Sequence, residues 1–249
     1  MTPSTVIETG KGTTRMAEFD KYAGSYEELH AANIRLSGFG PAYFDEYKIR
    51  EIFDFLRAQG REKERLNFLN FGCGIGKSEA FIRKYLPEAA IFSIDVSRES
   101  IEAAKDRNKG LSNVVFEVFD GIKQPFDIDF DVIFAANVFH HIPFERHVEV
   151  LKNIYERLEA RGEFFLFEHN PLNPLTLRAV HSCEFDRDAR LLSPLYAGRI
   201  LSESGFGRKT LRFAVFFPKF LSIFIPLERY LRRIPFGAQY YYIAGKDAK

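Results

Sequence analysis

Phe71-Gly72-Cys73-Gly74-Ile75-Gly76-Lys77-Ser78 is the stretch on which the reading of this chain turns. The apolar run Leu66-Asn67-Phe68-Leu69-Asn70-Phe71 leads into it, and residues 77–86 behind it have helical texture up to the breaker Pro87. Glycines between a strand and a helix permit a tight turn and let a ligand approach bare backbone. The start of the helix offers free N–H groups to an anionic group. Two familiar loops of this kind fail here by one position. A P-loop finds its end in Gly76-Lys77-Ser78, but its first glycine falls on Phe71, whose side chain obstructs a phosphate turn. A nicotinamide-type G-x-G-x-x-G needs glycine at Lys77. The Tyr-x-x-x-Lys pair of short-chain dehydrogenases occurs only as Tyr242 and Lys246, in the last strand. What remains is G-x-G-x-G on Gly72, Gly74 and Gly76.

Outward from the loop, strands and helices alternate. Apolar stretches at 90–94, 114–119, 131–136 and 163–167 read as strands. Residues 97–109 read as a helix capped by Ser97, and 143–160 as a helix with Pro143 near its start and Gly162 past its end. Upstream, residues 42–59 carry Phe44, Tyr47, Ile52, Phe53, Phe55 and Leu56 mostly on one face, and Gly60 ends that helix. Such alternation predicts an α/β, doubly wound, mostly parallel sheet, and the near-continuous apolar runs suit strands covered on both faces. Past Asn170 the pattern loosens. A helix at 193–204 ends at Gly205, and strands at 209–217 and 239–244 are separated only by an irregular insert, which predicts an antiparallel pair at one sheet edge.

With those signals in order, residues 19–167 resemble the class I S-adenosylmethionine-dependent methyltransferases, in their small-molecule or quinone-type branch. The resemblance implies a seven-stranded Rossmann-like sheet and S-adenosylmethionine as cofactor. It implies cofactor contacts at Gly72, Cys73, Gly74 and Gly76, and a ribose-binding acid at Asp95, followed by Val96. Asp120-Gly121 resembles the adenine-edge pair, and residues 131–141, with Asn137 just past the fourth strand, resemble the motif lining the methionine moiety and the transferred methyl. Tyr22 and Tyr26 resemble an N-terminal lid, and aromatic faces suit a sulfonium cation. One departure stands out: the family usually carries an acid where this chain has Asn70, which keeps an acceptor and loses the charge.

Beside the resemblance, the residues have their own logic. A carboxylate at a strand's C-terminal end accepts both ribose hydroxyls, at roughly 1.5–3 kcal/mol for each charge-assisted bond; a strand-end aspartate also caps helices, and that reading of Asp95 stays open. Lys48 or Arg35 is a candidate partner for the cofactor carboxylate. The candidate general bases are His140 and His141 after the fourth strand and His169 after the fifth, with His169 first. His140, His141, His147 and His169 lack metal-ligand spacing, so no metal site is expected.

Composition narrows the rest. The chain has 249 residues, 35 Lys+Arg against 34 Asp+Glu, and a net charge of +1, which argues against a nucleic-acid binder. Cys73 and Cys183, its two cysteines, make no CxxC, so no disulfide scaffold is expected. Neither a signal peptide nor a transmembrane run is visible, and a cytoplasmic location is expected. Its 27 Phe against no Trp suggest a phenylalanine-rich core. The expected organisation is a mobile tail (1–18), an N-terminal helical lid (19–60) and a methyltransferase domain (61–249) with an apolar insert near 213–236. That insert, followed by Arg229, Arg232 and Arg233, reads either as cover for a sheet edge or as a peripheral membrane contact suited to a lipid-linked acceptor. The expected function is O-methylation of a small or lipid-like molecule; the alternatives are C-methylation of a polyketide or quinone-type ring, and an adenosyl-cofactor-binding protein without transfer. The oligomeric state is not readable from these residues.

Overall fold

The computed structural model describes residues 37–181 and 190–247. The tail, the expected lid up to residue 36, Tyr22, Tyr26, Arg35 and Cys183 lie outside the described residues.

Helix α1 (Pro41–Ala58) opens with proline in its first turn, where a missing N–H costs nothing, and gives way to Gly60 at φ +71°. Seven strands follow: β1 (Asn67–Phe71), β2 (Ala90–Asp95), β3 (Val114–Val118), β4 (Phe130–Ala136), β5 (Leu158–His169), β6 (Arg208–Ala214) and β7 (Gln239–Gly245). They form one sheet in the order β3-β2-β1-β4-β5-β7-β6. The first five are parallel, while β7 runs antiparallel to both β5 and β6, so the expected antiparallel edge is present. Between them lie α2 (Glu79–Tyr85), α3 (Arg98–Arg107), α4 (His147–Glu156), α5 (Pro174–His181) and α6 (Pro194–Glu203).

The apolar runs are nearly continuous because each strand feeds two cores. In β1, Leu69 and Phe71 join the core beneath α4 and α6, while Phe68 joins the one beneath α1 and α2. β5 does the same, with Phe164 and Leu166 on one side and Phe165 and Phe167 on the other. Phenylalanine fills both: Phe68, Phe71, Phe130, Phe134, Phe139, Phe164, Phe165, Phe167 and Phe206 are all fully buried.

Several expected boundaries move. The helix expected at 143–160 is a 3-10 turn (Phe144–Arg146) followed by α4, and the next strand already starts at Leu158. The register of β4 and β5 shifts between Phe130 and Val132, and a Cβ on Gly162 would meet the Phe130 carbonyl at 2.8 Å, so this glycine marks a bulge within the strand rather than a helix end. The helix expected at 77–86 starts only at Glu79. β6 stops at Ala214 because Val215 turns left-handed, at φ +63°. The insert then runs as a 3-10 stretch (Lys219–Leu227) and one turn of helix, α7 (Glu228–Leu231). No described helix is long and apolar enough to cross a membrane.

Candidate active site

The glycine loop leaves β1 and folds back on β2. The amides of Gly72 and Cys73 both donate to the Ile94 carbonyl, at 2.8 and 2.9 Å. Gly72, Gly74 and Gly76 all have positive φ, at +75°, +52° and +68°, a conformation that L side chains rarely adopt. Their surroundings differ. A Cβ on Gly72 would strike Val138 at 2.5 Å, and one on Gly76 would strike Asn108 at 2.6 Å and Ala104 at 2.8 Å, so these two glycines serve close packing. A Cβ on Gly74 would meet no described atom within 4 Å, so among the described residues its bare face is open.

Asp95 closes the loop from the other side. Its Oδ2 accepts from the Gly74 amide at 2.8 Å and its Oδ1 from the Ser97 amide at 3.0 Å. The cap of α3 is Ser97, whose Oγ accepts from the Ser100 amide at 3.1 Å, so Asp95 is not needed as the helix cap. At the end of β3, Asp120 is exposed and accepts the Ile122 and Lys123 amides on Oδ1, at 2.8 and 2.9 Å. Gly121 has φ +83°, and a Cβ there would lie 3.3 Å from Val96, which brings Val96 and Gly121 together beside the two acids.

At the end of β4, Asn137 is held left-handed at φ +57° with its amide donating to the Phe167 carbonyl at 2.9 Å. Its Oδ1 is buried and finds no hydrogen-bond partner among the described residues. Strain and an unanswered buried acceptor at one strand end are the marks of a ligand position.

The three candidate histidines cluster: the His140 ring centroid lies 4.2 Å from that of His141 and 5.6 Å from that of His169. They are not equivalent. His140 is buried, and its Nδ1–H donates to Glu168 Oε2 at 2.6 Å. Glu168, also buried, uses Oε1 to accept the Phe139 amide at 2.9 Å. His141 and His169 are half-buried. His147 belongs to the packing: its Nε2–H donates to the Phe139 and Ile142 carbonyls, its Nδ1 accepts from Tyr196, and burial pulls its pKa down. Among the described residues no group of three or more His, Cys, Asp or Glu is arranged to hold a metal ion.

On the α1 side of the sheet, Asn70 Nδ2 donates to Glu79 Oε1 at 2.9 Å, and Ser93 Oγ donates to the same oxygen at 2.7 Å. Lys48 is buried, and burial pulls its ammonium down against the opposing fields of Asp45 and Glu168. The Cys73 thiol is pushed well up, first by burial and then by the charges of Glu79 and Asp95. Neither Glu79 nor Glu168 is visible as a site residue in sequence. Glu79 reads as an ordinary acid of a helix's first turn, and the buried pair with His140 joins residues 28 apart in the chain.

A family model described as "Methyltransferase domain" matches residues 69–164, from the first strand through the fifth. This part of the chain is a methyltransferase domain, and its sheet order is that of the class I S-adenosylmethionine-dependent fold. Among curated relatives of this chain, 27-O-demethylrifamycin SV methyltransferase of Amycolatopsis mediterranei (strain S699) is 28% identical over 162 residues, covering 59% of this chain and 54% of the relative. Trans-aconitate 2-methyltransferase of Rhodopseudomonas palustris (strain BisB5) is 30% identical over 93 residues, covering 37% and 34%. The chain thus spans about half and about a third of the length of these relatives. A crystal structure of a SAM-dependent methyltransferase from Archaeoglobus fulgidus superposes with a TM-score of 0.53 at 20% identity, covering 80% of this chain and 94% of the other, and shows the same fold.

The residues fit the cofactor that the family implies. The open face of Gly74 is a cradle that a Cβ would fill, and the Asn137 oxygen is an acceptor awaiting a donor. The backbone at Gly74, with Asp95, Val96, Asp120 and Gly121 around it, is where the chain could hold an adenosyl group.

Proposed function

We propose that this methyltransferase moves a methyl group from S-adenosylmethionine to an oxygen of a small or lipid-like molecule. Gly72, Cys73, Gly74 and Gly76 hold the cofactor by backbone approach, Asp95 accepts its ribose hydroxyls, and Val96, Asp120 and Gly121 flank the adenine. Asn137 lines the methionyl end, and Lys48 faces its carboxylate. The cofactor supplies a methyl on a sulfonium, whose departure leaves a neutral thioether. The chain's own contribution is alignment, which is worth about 7–11 kcal/mol, and removal of the acceptor's proton. His169 would take up the proton of the acceptor oxygen as that oxygen receives the methyl.

The observation that carries the oxygen reading is the histidine cluster at the ends of β4 and β5, where the half-buried His169 stands beside the buried His140–Glu168 pair. A lipid-like acceptor is supported by the insert. Phe220 and Ile223 are 82% and 81% exposed, Lys219, Arg229 and Arg233 are exposed beside them, and Asn170, next to His169, donates to the Pro235 and Gly237 carbonyls that close the insert. A surface of apolar tips among cations suits an amphiphile or a lipid face. The test is incubation with methyl-labelled cofactor and a metabolite extract, with and without its lipid fraction, followed by product analysis. Label on oxygen, enriched in lipid-like products, is expected. Label on carbon favours the alternative ring methylation, and label in no acceptor means a cofactor-binding protein without transfer.

A further inference from the structure

Glu79 is fully buried, and its two oxygens are treated very differently. Oε1 receives two hydrogen bonds, from Asn70 and Ser93. Oε2 is buried and has no hydrogen-bond partner among the described residues. Among the described residues the hydrogen-bonding neighbours of this buried carboxylate are neutral donors, which leaves its charged form costly, and the acid Asp45 adds to that cost. Such a group calls for a cation.

Its place in the fold says where the cation comes from. Asn70 is the next-to-last residue of β1, aligned with Ser93 on β2 and Phe134 on β4, and the glycine loop spans the gap between Asn70 and Glu79. The loop closes on Asp95 through the Gly74 amide and leads along the chain into Glu79, so it runs between two acids. Asp95 stands on the ribose side; Glu79 stands on the side of Asn70 and the end of β1. The family's usual acid is missing at position 70, and the amide there instead holds an acid nine residues on.

We propose that Glu79 is the acid that receives the ammonium of the cofactor's methionyl group, directly or through one water, and that Asn70 is its positioning residue. The charge absent from β1 is restored from the start of α2. This rests on the S-adenosylmethionine reading above, and two ligands separate the two claims. S-adenosylhomocysteine carries the ammonium, and 5′-methylthioadenosine carries the same nucleoside thioether without it.

Calorimetric titration of the native chain, Glu79→Gln and the double variant Asn70→Asp/Glu79→Gln with each ligand provides the test. Glu79→Gln is expected to weaken S-adenosylhomocysteine binding by about tenfold or more, the scale of one charge-assisted hydrogen bond, while 5′-methylthioadenosine binding changes by less than about twofold. The double variant, which returns the acid to position 70, is expected to recover most of the loss. Equal weakening of both ligands, or of neither, overturns the proposal and leaves the cofactor reading standing. Failure of the native chain to bind either ligand overturns both. Retained 5′-methylthioadenosine binding also reports that each variant is folded, and if the single variant does not fold, the double variant decides: a folded double variant that binds only 5′-methylthioadenosine overturns the proposal.

Discussion

Glu168 holds His140 and the loop that carries it with one carboxylate: Oε2 lies 2.6 Å from His140 Nδ1, and Oε1 accepts the amide of Phe139 at 2.9 Å. The ring's tautomer and the path of the chain after β4 are therefore fixed by a residue on β5. Because the carboxylate acts through His140, Glu168→Gln is expected to lower kcat by about ten- to a hundredfold and shift the pH profile of kcat, with S-adenosylhomocysteine affinity little changed. A purely structural brace would leave the profile's midpoint in place.

His169→Ala removes the proposed base without touching the glycine loop or Asp95. Turnover is expected to fall by about 10²–10⁴ while cofactor affinity stays within about twofold, measured by steady-state rates and calorimetry. Turnover that survives the substitution points to an acceptor that needs no base.

The glycines of the loop separate packing from binding. Gly72→Ala drives a Cβ to 2.5 Å from Val138 at a positive φ, so a loss of about 1–3 kcal/mol in stability is expected by denaturant melting. Gly74→Ala carries only the left-handed strain of about 1–2 kcal/mol, with no described atom within 4 Å, yet it fills the cradle. Its main effect is expected in cofactor affinity, which a titration of the folded variant reads directly.

Burial holds the Glu79 carboxyl above the usual glutamate range. A raised acid gives the folded state its full contribution below the unfolded pKa of about 4.3, and that contribution is lost as pH rises through the folded value. Without ligand, Glu79→Gln is therefore expected to gain stability relative to the native chain as the pH rises from about 4, as read from denaturant midpoints. A gap that stays constant with pH would mean that Glu79 is not buried with its charge unanswered.

The sheet was legible in the chain because each strand is an apolar run long enough to face two cores, and each run ends at a residue that changes the texture: Asp95, Asp120, Asn137, His169. The antiparallel edge followed from the absence of a full crossover helix between residues 214 and 239. Helix ends were harder to read. Leu158 continues the apolar period of α4, so the sequence carried the helix to 160, whereas the chain enters β5 at Leu158 and absorbs the surplus in a bulge at Gly162. Val215 gives no local sign of its left-handed turn. In the site, the candidate residues on the strand-end loops could be named through the family resemblance that the order of these signals carries. Glu168 and Glu79 could not, because both owe their place to partners brought near only by the parallel pairing of strands: His140 from β4 for one, Ser93 from β2 for the other.

Everything proposed for catalysis depends on an adenosyl group lying over Gly74 with its ribose on Asp95. Calorimetry with S-adenosylhomocysteine on the native chain and on Asp95→Ala tests that placement most directly. One-to-one binding by the native chain, weakened more than about tenfold by the substitution, is the expected result. Native affinity retained in Asp95→Ala, or no binding to the native chain at millimolar ligand, would contradict it.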